Sequence, residues 1–403
     1  MLVTLDTLRA DAFEVGGGAA GALPELVRYA ERGAVFSRSF ASSNVTQPTH
    51  ASLFTGLAPW QHGVVRNGLV LAERFDTVAE RLSAQGFATA AVVASFPLAE
   101  RFGFAQGFDE YREVFDRQLV PGMRSWQGAE VPADGFYSLA GPVLREASDV
   151  LDSLGEEHEF LWIHLFDAHD PYGDAAGRRE VGYPELLRAR ATQQLAPSGL
   201  LRRARSLYAA DLAVLDAALA RFLEELHERS GETHVIVTAD HGESFGEAGY
   251  IGHGDSLGVQ EIRVPLVIVS PRVAPGVRSE PVSSIDLAAT LLSLADIEHG
   301  FADARDLTGA PAVGEHAAFG MASWGGSAGE APRARFFAAG VSSLHVGDSE
   351  GVKVVESRLS SAGLEAELPA RFSGFARDAR HNEADALTDE ATRAGLRALG
   401  YGE

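Results

Sequence analysis

The chain has 403 residues, 46% of them hydrophobic and 22% charged, ordinary proportions for a soluble globular protein able to bury a sizeable core. A formal charge of −22 disfavours a broad nucleic-acid or anionic-membrane surface, and the densest basic run, Arg202, Arg203 and Arg205, is soon followed by Asp211. The absence of cysteine excludes disulfides, thiolate-bound zinc and a thiol nucleophile, and no stretch reaches the roughly 18 apolar residues of a membrane span.

In chain order, Leu2 to Leu5 reads as a strand that ends on Asp6. No basic and apolar leader precedes it, so the chain as written reads as cytoplasmic, and as periplasmic or secreted if an upstream export signal is missing. Pro24 to Arg32 predicts a helix, with Pro in its first turn and Gly33 past its end, and Ala34 to Phe40 looks extended. Pro48 marks where the next helix could open, with Ala51, Leu53 and Phe54 as its apolar contacts and Gly56 and Pro59 as its stop. Thr46 would then fall just before a helix N-terminus, a good place to hold an anion.

Phe75 to Gln85 predicts an amphipathic helix, and Ala88 to Ala94 a buried strand. Residues 97–135 carry Phe102, Phe104, Phe108, Tyr111 and Trp126 without a period and read as excursions over the active face. Leu139 to Leu154 predicts a helix, then Phe160 to Phe166 an apolar strand ending at Asp167, with His169 two residues on. Leu212, Leu215, Leu219, Phe222 and Leu226 recur at helical spacing within Leu207 to Glu228. Thr233 to Ala239 is a strand ending on Asp240 and His241; Val264 to Val269 is another, and Asp286 to Leu294 a helix. The rhythm predicts a doubly wound, mostly parallel α/β sheet flanked by helices over residues 1–297. Beyond it the composition shifts toward Ala, Gly, Ser and charge, with short candidate strands at Phe336 to Ala339 and Val352 to Val355, so residues 298–403 read as a small C-terminal α+β appendage.

Open α/β sheets place ligands at the carboxyl ends of their strands, which is where Asp6, Asp240 and His241 would stand. With Thr46 they would make one oxygen-rich site with a single imidazole, suited to Mn²⁺ or Zn²⁺ and tolerable for Mg²⁺ or Ca²⁺, one ion per chain rather than two. A threonine hydroxyl is a poor nucleophile, but coordination to a divalent ion stabilises its alkoxide, so a metal-assisted hydrolase of anionic esters is the expected chemistry. The helix start would add backbone N–H donors for the developing charge. His169 and His253 are candidates for gripping the anion and protonating the leaving oxygen, with His50 a further candidate. Asp167, His169 and His253 are alternatively placed to hold a second ion. Taken singly, an Asp after a strand is most often a turn residue and Thr46 an N-cap; His62, His158, His227 and His234 read as structural or surface histidines.

Together these residues resemble the alkaline phosphatase and sulfatase superfamily, in its sulfatase-type branch. The resemblance is carried by Leu2 to Asp11, by Thr46-Gln47-Pro48-Thr49-His50-Ala51-Ser52-Leu53-Phe54-Thr55-Gly56, by His62-Gly63-Val64 and Arg66-Asn67-Gly68. It continues through Asp167-Ala168-His169-Asp170-Pro171-Tyr172, Asp240-His241-Gly242-Glu243, Gly252-His253-Gly254, Ile262 to Leu266 and the tail Leu396 to Tyr401. Sulfatases of this kind carry Cys or Ser followed by x-Pro-x-Arg and oxidise it to formylglycine; here Thr46 and His50 stand at those places, and threonine cannot give the aldehyde. Thr7 stands where many have a second metal-binding Asp, and His253 where they often have a sulfate-binding Lys. The metal set is instead similar to that of threonine-nucleophile relatives such as lipoteichoic acid synthases and phosphoethanolamine transferases. The resemblance therefore implies a hydrolase or transferase of phosphoric esters acting through a covalent phosphothreonine, on a glycan or lipid headgroup among other substrates. Two alternatives stand beside it: a sulfuric ester hydrolase working without formylglycine, and a non-catalytic binder of sulfated or phosphorylated glycans.

Overall fold

In the computed structural model, residues 1–13, most of 21–310 and the strands between 318 and 357 are described; 14–20, 189–197, 311–317, 325–332, 358–403 and a few single positions or pairs in loops lie outside that description. The centre is an eight-stranded sheet in the order Gly276–Arg278, Ala34–Phe36, Leu266–Val269, Val235–Ala239, Leu2–Leu5, Glu159–Leu165, Ala88–Val93, Glu110–Glu113. The run from Val235–Ala239 to Glu110–Glu113 is parallel throughout, while Leu266–Val269 is antiparallel to both neighbours. The inner strands are apolar on both faces because helices cover both, which is why they read as continuous runs rather than alternations.

Helix Ala140–Leu154 buries Val143, Leu144, Ala147, Val150 and Leu151 in one stripe, and Ser198–Glu228 does the same with Leu212, Leu215, Leu219, Leu223 and Leu226. Asp216 on the second of these is itself buried; its carboxylate accepts the N–H groups of Glu25 and Leu26, capping helix Pro24–Ala30. Helix Val78–Ala84 is closed by a reciprocal bond pair between Thr77 and Glu80.

Four expectations need correction. Helix Thr46–Thr55 opens at Thr46 itself, two residues before Pro48, so Thr46 is its first helical residue and Val45 its cap. Within 97–135, Glu110–Glu113 is the outermost strand of the main sheet; lying at an edge, it keeps polar side chains and shows no buried pattern. Val264 to Val269 is broken at Pro265, whose missing N–H divides Arg263–Val264, paired with Ser39–Phe40, from Leu266–Val269. The long helix starts at Ser198, before its first clean apolar repeat.

In the C-terminal region, Ala318–Trp324, Arg333–Ala339, Ser343–Asp348 and Gly351–Ser357 form an antiparallel sheet in chain order, containing both strands expected there. The rest of the expected α+β appendage, with the Leu396 to Tyr401 tail, falls outside the described residues. Its first strand docks on the segment leading to Thr46: the Met321 N–H donates to the Ser42 carbonyl at 2.9 Å, and Phe40, Ile262, Ala318 and Phe337 pack together. No helix among the described residues is long and apolar enough to cross a membrane.

Candidate active site

Register puts the site together. Leu5 pairs with Ala239 on one side and with Leu165 on the other, so three adjacent parallel strands end on one rim and hand over to Asp6, Asp240 and Phe166-Asp167. Three buried atoms converge there: His241 Nε2 lies 3.7 Å from Asp6 Oδ1 and 3.6 Å from Asp240 Oδ2. None of the three has a hydrogen-bond partner among the described residues. Buried polar atoms left unpaired are costly, and carboxylate oxygens facing an imidazole nitrogen at this spacing fit a divalent cation.

Burial on its own would raise the Asp6 carboxyl, but His169, His164 and His241 around it outweigh that and hold it below the ordinary range. Asp240 is pushed up to about 6, by burial and then by the neighbouring Asp6 charge. Two carboxylates this close are stabilised together only by positive charge between them.

Backbone strain marks the same rim. Thr7, a β-branched residue, sits at φ 55° and Ala168 at φ 86°, both in the left-handed region. Thr7 is strapped on both sides, its N–H donating to Asp240 Oδ1 at 3.3 Å and its carbonyl accepting from the Tyr208 hydroxyl at 3.0 Å. Gly242 is required by close approach, since a Cβ there would collide with the Gln260 carbonyl.

Thr46 is 3% exposed at the start of its helix. Fewer first-turn donors are on offer than the sequence suggests: the Gln47 N–H goes to Asn67 Oδ1 at 2.9 Å, and Pro48 has none. The Gln47 amide in turn donates to the Pro97 carbonyl at 2.7 Å and accepts from the Gly68 N–H. Asn67 and Gln47 therefore position the turn that carries Thr46, a role that sequence reading did not assign to either.

His50 lies one helical turn below Thr46, fully buried. Its bonding fixes its tautomer. The Thr46 carbonyl can only accept, so the proton sits on Nδ1 and is donated to it at 2.9 Å; Nε2 of the neutral ring then accepts from the Thr4 hydroxyl at 3.0 Å, which itself accepts from Trp162 Nε1 at 3.0 Å. Burial lowers its pKa to about 3, so it stays neutral. The ring holds the helix to the sheet, and both of its nitrogens are engaged.

His169 and His253 do reach the rim. The His253 ring lies 4.3 Å from that of His241 and 5.2 Å from that of His169, centroid to centroid. Burial works against a charge on His169, but Asp170, Asp6 and Glu243 overcome it and raise its pKa to about 9. Glu243, fully buried and not singled out from sequence, faces His253 Nδ1 with Oε1 at 3.1 Å and accepts from the Tyr172 hydroxyl at 2.9 Å. It orients the imidazole as second partners of functional histidines do. The signal was its position three residues after Asp240.

Asp167 stands apart from these two. Its Oδ2 accepts the Ala140 N–H at 2.6 Å at the start of helix Ala140–Leu154, and burial raises its pKa to about 7. The three-residue ligand clusters among the described residues are Asp6, Asp240, His241 and His50, His164, Asp240; neither includes Asp167, His169 or His253. His164 was read from sequence only as part of an apolar strand.

The sheet is an alkaline phosphatase/sulfatase-like α/β fold, and its rim is acidic and rich in imidazole. The chain belongs to the sulfatase family, whose model matches residues 1–297. It is 26% identical over 310 residues to an uncharacterized sulfatase of Escherichia coli (strain K12), covering 67% of this chain and 62% of that one. A choline-sulfatase of Rhizobium meliloti (strain 1021) is 25% identical over 354 residues, 74% of this chain and 67% of its own. The chain thus spans about three fifths to two thirds of these relatives' length. In fold it is similar to a phosphonate monoester hydrolase from Silicibacter pomeroyi, with a TM-score of 0.67 at 19% identity over 96% of both chains. A 2-O GAG sulfatase superposes with a TM-score of 0.69 at 17% identity, over 99% of this chain and 93% of that one.

Proposed function

We propose that this chain is a metal-dependent hydrolase of phosphoric esters, acting as a transferase where an alcohol replaces water, with Thr46 as its nucleophile. The observation that carries the reading is the meeting of Asp6 Oδ1, Asp240 Oδ2 and His241 Nε2, buried and without hydrogen-bond partners among the described residues, at adjacent strand ends. The reading is supported for Thr46 by His50, whose Nδ1 donates to the Thr46 carbonyl and lies 3.9 Å from Asp240 Oδ2, so the helix start is near the same carboxylate.

A divalent ion held by Asp6, Asp240, His241 and the Thr46 hydroxyl would supply positive charge that acidifies that hydroxyl and neutralises the ester's oxygens. Thr46 Oγ1, its proton already released to solvent, attacks phosphorus as the alkoxide; its P–O bond forms as the ester's P–O bond breaks, and the departing alkoxide takes a proton from His253 or His169. Water then attacks the phosphothreonine, giving its proton to the same imidazole as the P–Oγ1 bond breaks and phosphate leaves, which restores the Thr46 alkoxide and the protonated imidazole. Glu243 keeps the His253 ring aimed through this exchange.

Sulfuric ester hydrolysis is the second reading, favoured by the name of the family and by the choline-sulfatase relative. It differs in the charge of the transferred group rather than in the attacking atom. The test is Thr46→Ala and Thr46→Ser against aryl phosphodiesters, phosphomonoesters, phosphonate monoesters and sulfates. Thr46→Ala should lose about three orders of magnitude in kcat or more, with Thr46→Ser retaining part of it. Undiminished turnover by Thr46→Ala would remove the nucleophile, and a sulfate-only profile would select the second reading. Binding of an anionic glycan without turnover of any ester would leave a non-catalytic binder.

A further inference from the structure

Strand Glu159–Leu165 carries one polar ring in its buried stretch. His164 pairs in register with Thr4, so it shares the sheet face of Thr4 and Asp6 and lies one layer beneath the rim. It is fully buried, and neither ring nitrogen has a hydrogen-bond partner among the described residues. Its Nε2 is 3.6 Å from Asp6 Oδ2, the same separation that His241 Nε2 keeps from the two carboxylates. A ligating atom of His164 also lies within 4.8 Å of one on Asp240. His50 completes that cluster only formally, since Thr4 and Thr46 already occupy its nitrogens.

We propose that His164 Nε2 is an additional imidazole ligand of the ion held by Asp6, Asp240 and His241. The inference rests on the metal-site reading above and refines it. A buried imidazole with no hydrogen bond is unfavourable unless something else engages its lone pair, and the carboxylates of Asp6 and Asp240 stand beside it. A set of two carboxylates and two imidazoles selects ions such as Zn²⁺ or Mn²⁺ over Ca²⁺ and Mg²⁺, which prefer oxygen.

Full-length wild type, His164→Gln and His241→Gln are loaded with Cu²⁺ as a spectroscopic probe, and the coupled imidazole nitrogens are counted by pulsed electron paramagnetic resonance. Zn²⁺ and Ca²⁺ affinities are measured alongside by calorimetry. Each variant should lose one imidazole, and His164→Gln should lose about 100-fold or more in Zn²⁺ affinity with Ca²⁺ binding little changed. An unchanged imidazole count in His164→Gln, or equal losses for the two ions, overturns the assignment and leaves His164 only as a support for Asp6. Anomalous scattering from a Zn²⁺-soaked wild-type crystal decides the matter if the variant fails to fold: Nε2 at about 2.1 Å from the ion supports it, and a distance beyond about 3 Å sinks it. An ion bound through His241 but not His164 refutes this inference alone, whereas wild type that takes up no ion refutes the metal-site reading with it.

Discussion

Two settings beside the same sheet face treat histidine in opposite ways: a lower layer on helices Thr46–Thr55 and Pro59–His62, and the carboxylate rim with His164 just beneath it. In the lower layer His50 is bonded at both nitrogens to neutral groups, as is His62, which accepts the Val64 N–H at 3.1 Å and reaches Ser52 Oγ at 3.0 Å. At the rim, His241 Nε2 is equally buried yet faces only carboxylate oxygens and a neighbouring ring. Burial does not distinguish scaffold from reactive site here; the identity of the bonding partners does. A ring with both nitrogens satisfied by neutral groups fixes geometry, whereas His241, held through Nδ1 by the Gly242 carbonyl at 3.0 Å, leaves Nε2 among carboxylates without a hydrogen bond, as suits a cation.

The largest expected effect separates the layers directly. Chelation should abolish hydrolysis and lower the melting temperature, and either Mn²⁺ or Zn²⁺ should restore both, because an ion bound only by the native state stabilises it. Turnover indifferent to chelator would erase the distinction. Next, His50→Leu should cost about 2–4 kcal/mol in urea unfolding, since it strands the Thr46 carbonyl and the Thr4 hydroxyl and leaves a gap beside Trp162. His241→Leu in ion-free protein should cost about 1 kcal/mol or less, because removing it also relieves a buried polar group. Equal costs would count against the contrast.

A smaller effect concerns the support of His253. Glu243→Gln should lower kcat about 10- to 100-fold with KM little changed and should alter the pH profile of kcat; a pure KM effect would assign Glu243 to binding alone. The smallest is a pH effect on the lower layer. Burial lowers the His62 pKa from 6.5 to about 3, so the unfolded chain gains a proton before the native state does. Its contribution to stability is complete above about pH 6.5 and falls as the pH drops toward 3, by about 2 kcal/mol between pH 7 and 5. His62→Gln should flatten that slope, measured by urea unfolding at several pH values.

The clustering of Asp6 with Asp240-His241 at the rim was legible because each ends an apolar run, and such punctuation survives in one dimension. His164 was hidden by the same rule: inside an apolar run it read as core, and only two-residue alternation against Thr4 and Asp6 would have flagged its face. Asp167 looked like its neighbours at the strand ends, but a carboxylate there can equally meet a helix start, and the Ala140 N–H claims it. Glu110–Glu113 escaped notice because an edge strand keeps its polar residues, and the opening of the helix at Thr46 escaped because Pro48 tolerates any position in the first turn. The sheet's parallel core was readable from its rhythm; the reversal of Leu266–Val269 depends on which edge the strand joins, which no local pattern records.

That reversal has a practical reach. Because the strand runs against its neighbours, Leu266 lies opposite Thr238, and the chain arrives at the ligand end instead of departing from it. The chain that leads there carries His253, whose ring lies 4.3 Å from that of His241. Grafts into that approach should retune which esters are accepted, while grafts into the loop at the far end, between Val269 and Gly276, should go unnoticed by the chemistry.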